Sequence, residues 1–349
     1  MPLAIFALLS LTPALLLVVG TVLGGAWIWA ALLYITLLAF SMDRVVMALP
    51  DARGEFPAGD GLLVVIALTQ FALVPLALWA LAGGALRGLD WLAGFVAFGL
   101  WLGQVGNSAA HELIHRGGRV LFGLGRAMFI LILFGHHVSA HRLVHHLHVG
   151  TRADPNSPRR GQSYYGFALR AWAGSFRAGW QAETALRRRS GAPRRTHPYA
   201  IYLGGAALCL VLAWWFFGLK GLAIYAGLAL HAQSQMLLSD YVQHYGLRRR
   251  VLANGKAEPV GQQHSWNSGH WFTSGMMLNA PRHSDHHAHP ARPFTRLRLP
   301  ENAPLLPAPL PAMAVVALAP PLWRRVMDPR VAALQQGITS ARPDQLASS

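Results

Sequence analysis

An all-α protein threaded several times through a membrane is what this sequence predicts, and three observations predict it. Of its 349 residues, 53% are hydrophobic and only 13% charged, with a mean hydropathy of +0.33, too apolar for a soluble domain of this length. Six uncharged apolar stretches occur, near 3–20, 25–41, 61–83, 91–110, 199–218 and 221–239, and about 20 residues of helix cross a ~30 Å hydrocarbon core. All but two of the thirty Lys and Arg fall in segments that six spans would leave on one side.

Taken in order, the first stretch has the length of a secretory leader but no basic start, and a second follows directly after Gly24-Gly25. It reads as a retained span. The loop 42–60, the segment 111–198 and everything after 240 fall on the N-terminal side, leaving only Arg87 and Lys220 opposite. Positive charge stays inside, so the large side is expected to be cytoplasmic and the membrane a cell's inner one. Residues 120–134, with Arg119 and Arg126 toward their N-terminal side, read as an interfacial or re-entrant helix. The C-terminal "APLLPAPLPAMAVVALAPPLW" is apolar, but its prolines would break a spanning helix, which predicts a docked, irregular segment. The whole chain, 1–349, is expected to form one integral-membrane domain with histidine-rich cytoplasmic segments at 111–198 and 240–349.

The net charge of +16 and runs such as "RRRSGAPRR" (187–195) read as topology determinants lying against anionic lipid, with docking of an acidic protein as the lesser reading and no nucleic acid as partner. The single cysteine, Cys209, lies in the fifth stretch and reads as packing. It excludes a disulfide framework and an intrinsic four-cysteine iron site.

The chemistry is concentrated in seventeen histidines, all between His111 and His289. "HELIH" (111–115) alone matches the HExxH pattern of zinc peptidases. The chain also carries "HRLVHH" (141–146), "HYG" (244–246) and "HSDHH" (283–287). Residues three or four apart on a helix share a face, so His111 with His115, His141 with His145, and His283 with His286 and His287 are each expected to converge on a common centre. With His146 and His244 this makes nine imidazoles. A catalytic zinc site takes three protein ligands and would leave most of them unexplained, whereas two ions of four or five ligands each would use them all. Imidazole suits iron, copper, nickel and zinc alike. His197, His264 and His289 read as solvated surface residues and His231 as a core histidine. His136, His137 and His148 stand between a supporting role and none.

These motifs resemble those of the integral-membrane di-iron enzymes, and among them the membrane-bound alkane 1-monooxygenases related to fatty-acid desaturases. "HELIHR" is similar to that family's first histidine box, "HRLVHHLHVGTRADPNS" (141–157) to its second, "DYVQHYGLRR" (240–249) to its HYG motif and "SWNSGHWFTSGMMLNAPRHSDHHAHPARPF" (265–294) to its third. "WRRVMDPRV" (323–331) resembles its C-terminal segment, so the similarity runs from about residue 90 to 331. The resemblance implies six transmembrane helices and nine histidines, His111, His115, His141, His145, His146, His244, His283, His286 and His287, ligating two irons. It also implies a cytoplasmic active site, O₂ as co-substrate, and electrons from rubredoxin or ferredoxin with its NAD(P)H reductase. Ala140, Arg116 and Asp240 depart from the family's usual glutamate, lysine and asparagine.

The implied reaction is hydroxylation of a terminal C–H of an alkane or similar hydrophobic molecule, drawn from the bilayer, to a primary alcohol. An all-imidazole site needs carboxylates nearby to orient its rings, and Glu112, Asp154, Asp240 and Asp285 are the candidates. Glu112 has direct ligation or proton delivery as alternatives. Asn267 and His270 are named on the resemblance. A desaturase, or a methyl-arene or fatty-acid hydroxylase, would share metal and topology. An intramembrane zinc peptidase or a metal transporter would not.

Overall fold

A computed structural model describes residues 1–45, 59–191 and 197–340, with side chains to 336. Most of the expected loop 42–60, with Arg53, and residues 192–196 of the basic run lie outside the described residues. Among those described there is no β-strand, only two isolated bridges, Val251 with Ala257 and Asn267 with Leu305.

Helices α1 (Leu3–Leu23) and α2 (Ala26–Val45) form a hairpin turned at Gly24 and Gly25, whose φ of +63° and +50° disfavours any side chain. Then follow α3 (Asp60–Ala82) and α4 (Gly88–Ile114). The fifth helix of membrane length, α8 (Pro198–His244), holds the stretches 199–218 and 221–239 and is interrupted at Gly218, where φ is 63° and ψ −162°. The Tyr225 hydroxyl donates to the Leu131 carbonyl (2.6 Å) with Cys209 beside it, and Gly205 abuts the neighbouring Ile130. Residues so spaced on a straight helix would stand about 24 Å apart, so the chain doubles back at Gly218 into two arms. These five helices are long and apolar enough to cross a membrane, and outward residues such as Leu15, Leu68, Trp215 and Phe216 are exposed as lipid-facing groups would be.

The short turns share one end of the bundle. Lys220 Nζ donates to the Ala82 carbonyl (3.0 Å), while Gly25 N and Trp29 Nε1 donate to the Asp90 carboxylate (both 2.9 Å). The other end carries the polar region. There α4 and α8 run past their apolar stretches without a break, so His111 and His244 sit on helical turns continuous with membrane-length helices.

Helix α5 (Arg119–Leu131) covers the expected 120–134 element and lies against the end of α4. The second box occupies helical turns over 137–148, here α6, followed by α7 (Tyr164–Ser190), α9 (Trp271–Met276) and α10 (His283–Ala288). Asp43, at the end of α2, accepts from the amides of Phe272 and Thr273 (2.8 and 3.2 Å) and from the Thr273 hydroxyl, tying the third-box segment to the bundle.

The C-terminal segment departs from expectation. It is docked, but residues 310–340 form helices α11 (Leu310–Ala317) and α12 (Pro320–Ser340) rather than irregular chain. The prolines explain it: Pro311 and Pro320 lie in first turns, where no backbone N–H is needed, and only Pro329 is internal. Trp323, Met327 and Val331 are buried, with Trp323 against the rings of Tyr241 and Tyr245. Tyr245 also donates to Asp328 (2.7 Å).

The contact of α5 with α4 is set by Gly125, where a Cβ would lie 2.7 Å from Leu113 Cβ and 2.9 Å from the Ala110 carbonyl. Gly125→Ala is expected to cost about 1–3 kcal/mol by overpacking. Gly123→Ala, on the same helix with nothing within 4 Å, is expected to cost nothing. Melting temperatures of the two variants in detergent test this, and equal values would show that the helices are not held at this spacing.

Candidate metal centre

Nine imidazoles meet where α4, α6, α8 and α10 converge, in two groups. His111, His115, His141, His146 and His286 form one and His145, His244, His283 and His287 the other, with ligand atoms within 4.8 Å of one another inside each group. In the first, Nε2 of His141 lies 2.7 Å from that of His111 and 2.9 Å from that of His146, which lies 3.2 Å from that of His286. In the second, Nε2 of His283 lies 3.0 Å from that of His244 and 3.1 Å from that of His287. The groups adjoin: the rings of His146 and His287 are 4.7 Å apart.

The partition differs from the expected sharing of faces. His141 pairs with His146, five residues on, while His145 belongs to the other group. Residues His141–His145 form a π-helical turn, in which i and i+5 align. In the third box His283 and His287, at i and i+4, share a group, and His286 points to the other.

The donor set fits a pair of metal ions. Two nitrogens at ~2.1 Å from one ion and at right angles lie about 3.0 Å apart, close to the ring contacts seen here. Nε2 of His115 and of His145 is buried with no hydrogen-bond partner. Burial, then the neighbouring rings, holds His115, His141, His146, His283, His286 and His287 well below the usual histidine range. They are therefore neutral near pH 7, the form in which imidazole donates to a metal.

Support behind the rings is specific. Asp154 Oδ2 bonds Nδ1 of His145 (2.9 Å), which turns Nε2 toward the group, and accepts from the Ser157 hydroxyl (2.6 Å). Burial opposes charge on Asp154, but His145, Ser157 and the Asn156 amide outweigh it and hold the carboxyl below its usual range. Asn156 Nδ2 donates to Asp240 Oδ2 (2.6 Å), linking this loop to α8. The His264 carbonyl faces Nδ1 of His244 (3.3 Å).

Four other candidates do different work. Glu112 Oε2 accepts from the Phe294 amide (3.0 Å) and Arg116 (3.2 Å) and lies outside both imidazole groups, unlike the water-activating glutamate of a zinc peptidase. Asp285 binds Arg292, His289 and the Arg298 amide. Asn267 clamps the start of α10, accepting from Ser284 N (2.9 Å) and donating to Ser284 Oγ (2.7 Å). His270 pairs with Ser268 (2.8 Å) outside both groups.

Of the remaining histidines, His264 corrects the expectation of a solvated residue. It is buried against Glu258 Oε1 (3.0 Å) and the Gly261 amide (2.8 Å). His289 is half exposed beside Asp285, and His197 stacks on Trp180. His136 is buried near Ser175 (3.4 Å), and His148 is exposed. His137 lines a small cavity that also reaches His111, His141 and His283. Met236, Met277 and Ala280 give this cavity an apolar wall beside both groups. Asn156, Ser157 and the His264 carbonyl were not singled out from the sequence, although an Asp followed by Asn and Ser is a common local hydrogen-bonding pattern.

A model of the fatty acid desaturase family matches residues 89–314. The chain is 36% identical over 299 residues to alkane 1-monooxygenase 1 of Pseudomonas aeruginosa, covering 82% of this chain and 78% of that one. It is 32% identical over 341 residues to alkane 1-monooxygenase 2 of the same organism, covering 90% and 86%. The hydroxylase component of xylene/toluene monooxygenase of Pseudomonas putida is 28% identical over 333 residues, covering 87% and 82%.

Two carboxylates, one behind a ring and one turned away, make a test. Asp154→Asn is expected to weaken metal binding about 10–100-fold, while Asp285→Asn leaves affinity near that of the unaltered protein. Competitive metal titration of the purified variants reads both.

Proposed function

Because the chain belongs to the fatty acid desaturase family and is a monooxygenase like its alkane 1-monooxygenase relatives, we propose that it hydroxylates a terminal C–H of an alkane or similar hydrophobic molecule, using O₂ and a non-haem di-iron centre, to give a primary alcohol. The observation that carries this reading is the sorting of nine imidazoles into groups of five and four that share a cavity wall. The protein is integral to a membrane and holds a metal centre, and its reaction draws on a separate electron-transfer protein.

His111, His115, His141, His146 and His286 would hold one iron, and His145, His244, His283 and His287 the other. Bound iron supplies what no side chain can, the activation of O₂ to attack an unactivated C–H bond. The chain's own part is to bind, orient and exclude. Asp154 and the His264 carbonyl fix the rings of His145 and His244. Met236, Met277 and Ala280 supply an apolar surface for the end of a hydrocarbon chain beside both groups. The buried surroundings keep bulk water from the reacting carbon.

The electron donor in this proposal is rubredoxin or ferredoxin with its NAD(P)H reductase. A single cysteine in the chain supports the need for one, since no four-cysteine iron site can be built from it. The skew of Lys and Arg supports a cytoplasmic active site in an inner membrane, and basic segments against anionic lipid. The xylene/toluene relative makes methyl-arene oxidation the second reading to screen.

Elemental analysis of the purified protein is expected to give near two irons per chain, with a reduced content in His283→Ala. Product analysis with a reductase and rubredoxin is expected to give a 1-alkanol from an n-alkane. One zinc per chain, indifferent to His283, would contradict the di-iron reading.

A further inference from the structure

The cavity beside the imidazoles shares Ser239 and Met277 with a second, small and partly open space lined by α4, the second arm of α8 and α11. For a path serving a hydrocarbon, this space is lined in an unexpected way. Gln104 on α4 and Gln235 on α8 both line it, Gln104 Nε2 donating to Gln235 Oε1 (3.4 Å). Gln104 is only 6% exposed, and its Oε1 has no partner. One turn further along, Asn107 lines the inner cavity and also has a buried, partnerless oxygen, Oδ1.

Such atoms are expensive to bury without a partner, and the local backbone is built to present them. α4 forms a π-helical turn over Leu102–Gly106, an irregularity that tends to occur at functional sites. Gly103 brings the helices together, since a Cβ there would lie 2.5 Å from Gln235 Cβ. Amide side chains therefore continue from the imidazole cavity, at Asn107, into the second space, at Gln104 and Gln235.

An alkane makes no hydrogen bond to any of these groups. A primary alcohol both donates and accepts, so it satisfies an amide whichever of its atoms faces the cavity. We propose that Asn107, Ser239, Gln104 and Gln235 form a hydroxyl-recognising lane that takes up the newly made alcohol and draws it away from the metal chamber. This rests on the monooxygenase reading and adds a step to it: the path is selective for product over substrate. Removal of the alcohol keeps its carbinol carbon from a second oxidation at the same site.

The test uses the full-length, iron-loaded protein in lipid nanodiscs, without reductant so that nothing turns over. Binding of radiolabelled 1-octanol and octane is measured against empty nanodiscs. The alkanol-to-alkane ratio is expected to fall roughly tenfold in Gln104→Met and in Gln235→Met, each of similar size and unable to bond a hydroxyl, with iron content reporting that the variants are folded. On the unaltered protein, 1-octanol is expected to displace octane better than 1-methoxyheptane, an ether with the same number of heavy atoms and no O–H. Octane bound with the ratio unchanged in both variants, or equal displacement by alcohol and ether, overturns the lane alone. Binding of neither probe overturns the lane together with the alkane reading.

Discussion

Nine imidazoles must be brought together and pointed at one another, and most of the architecture follows from that constraint. Ring nitrogens approach within 2.7 to 3.2 Å, separations that only a shared ion or a fixed pattern of protons makes favourable. Rings on flexible loops would relax apart. Here they stand on helical turns, two of them continuous with membrane-length helices, so the rigidity of the bundle passes directly to the site. The polar segments around it act as buttresses: Asp154 behind His145, the His264 carbonyl behind His244, and Asn267 at the head of α10.

The bundle was legible from composition because lipid leaves an apolar chain few choices besides helix. Gly24-Gly25 and the connections beside Arg87 and Lys220 marked where it reverses, and the interruption at Gly218 separates the fifth and sixth apolar stretches. The histidines were legible as a set because four clusters are hard to explain singly. Their division was not. It depends on a π turn at 141–145, and nothing in "HRLVH" distinguishes that turn from an ordinary one. Adjacency in sequence does not give direction either: Glu112 and Asp285 sit beside ligands along the chain and bond to Arg116 and Arg292. Helical tails after prolines were hidden for a similar reason, since a proline's effect depends on whether it falls in a first turn.

The membrane bundle and the polar end share one apolar core, and a few specific polar and aromatic contacts fix how they fit. Asp43 is buried and bonded to two amides and a hydroxyl across more than two hundred residues of sequence. Phe6 meets Phe294 edge-on at 5.0 Å, and the Phe294 amide in turn holds Glu112. Because neighbouring helices in lipid gain little from hydrophobic burial, such hydrogen bonds and close packing carry the fit between the two regions.

The buried strap formed by Trp323, Met327 and Val331 has a consequence for how the protein comes into being. Chains emerge from the ribosome N-terminus first, so the bundle and "HELIH" are made well before "HSDHH", and the strap is made later still. A nascent chain halted before residue 283 carries incomplete groups of imidazoles, and one halted before 323 leaves Tyr241 and Tyr245 uncovered beside His244. The order of synthesis therefore sets an order of assembly: the imidazole groups are complete only once α10 has been made, and Tyr241 and Tyr245 are covered only when α12 settles against them.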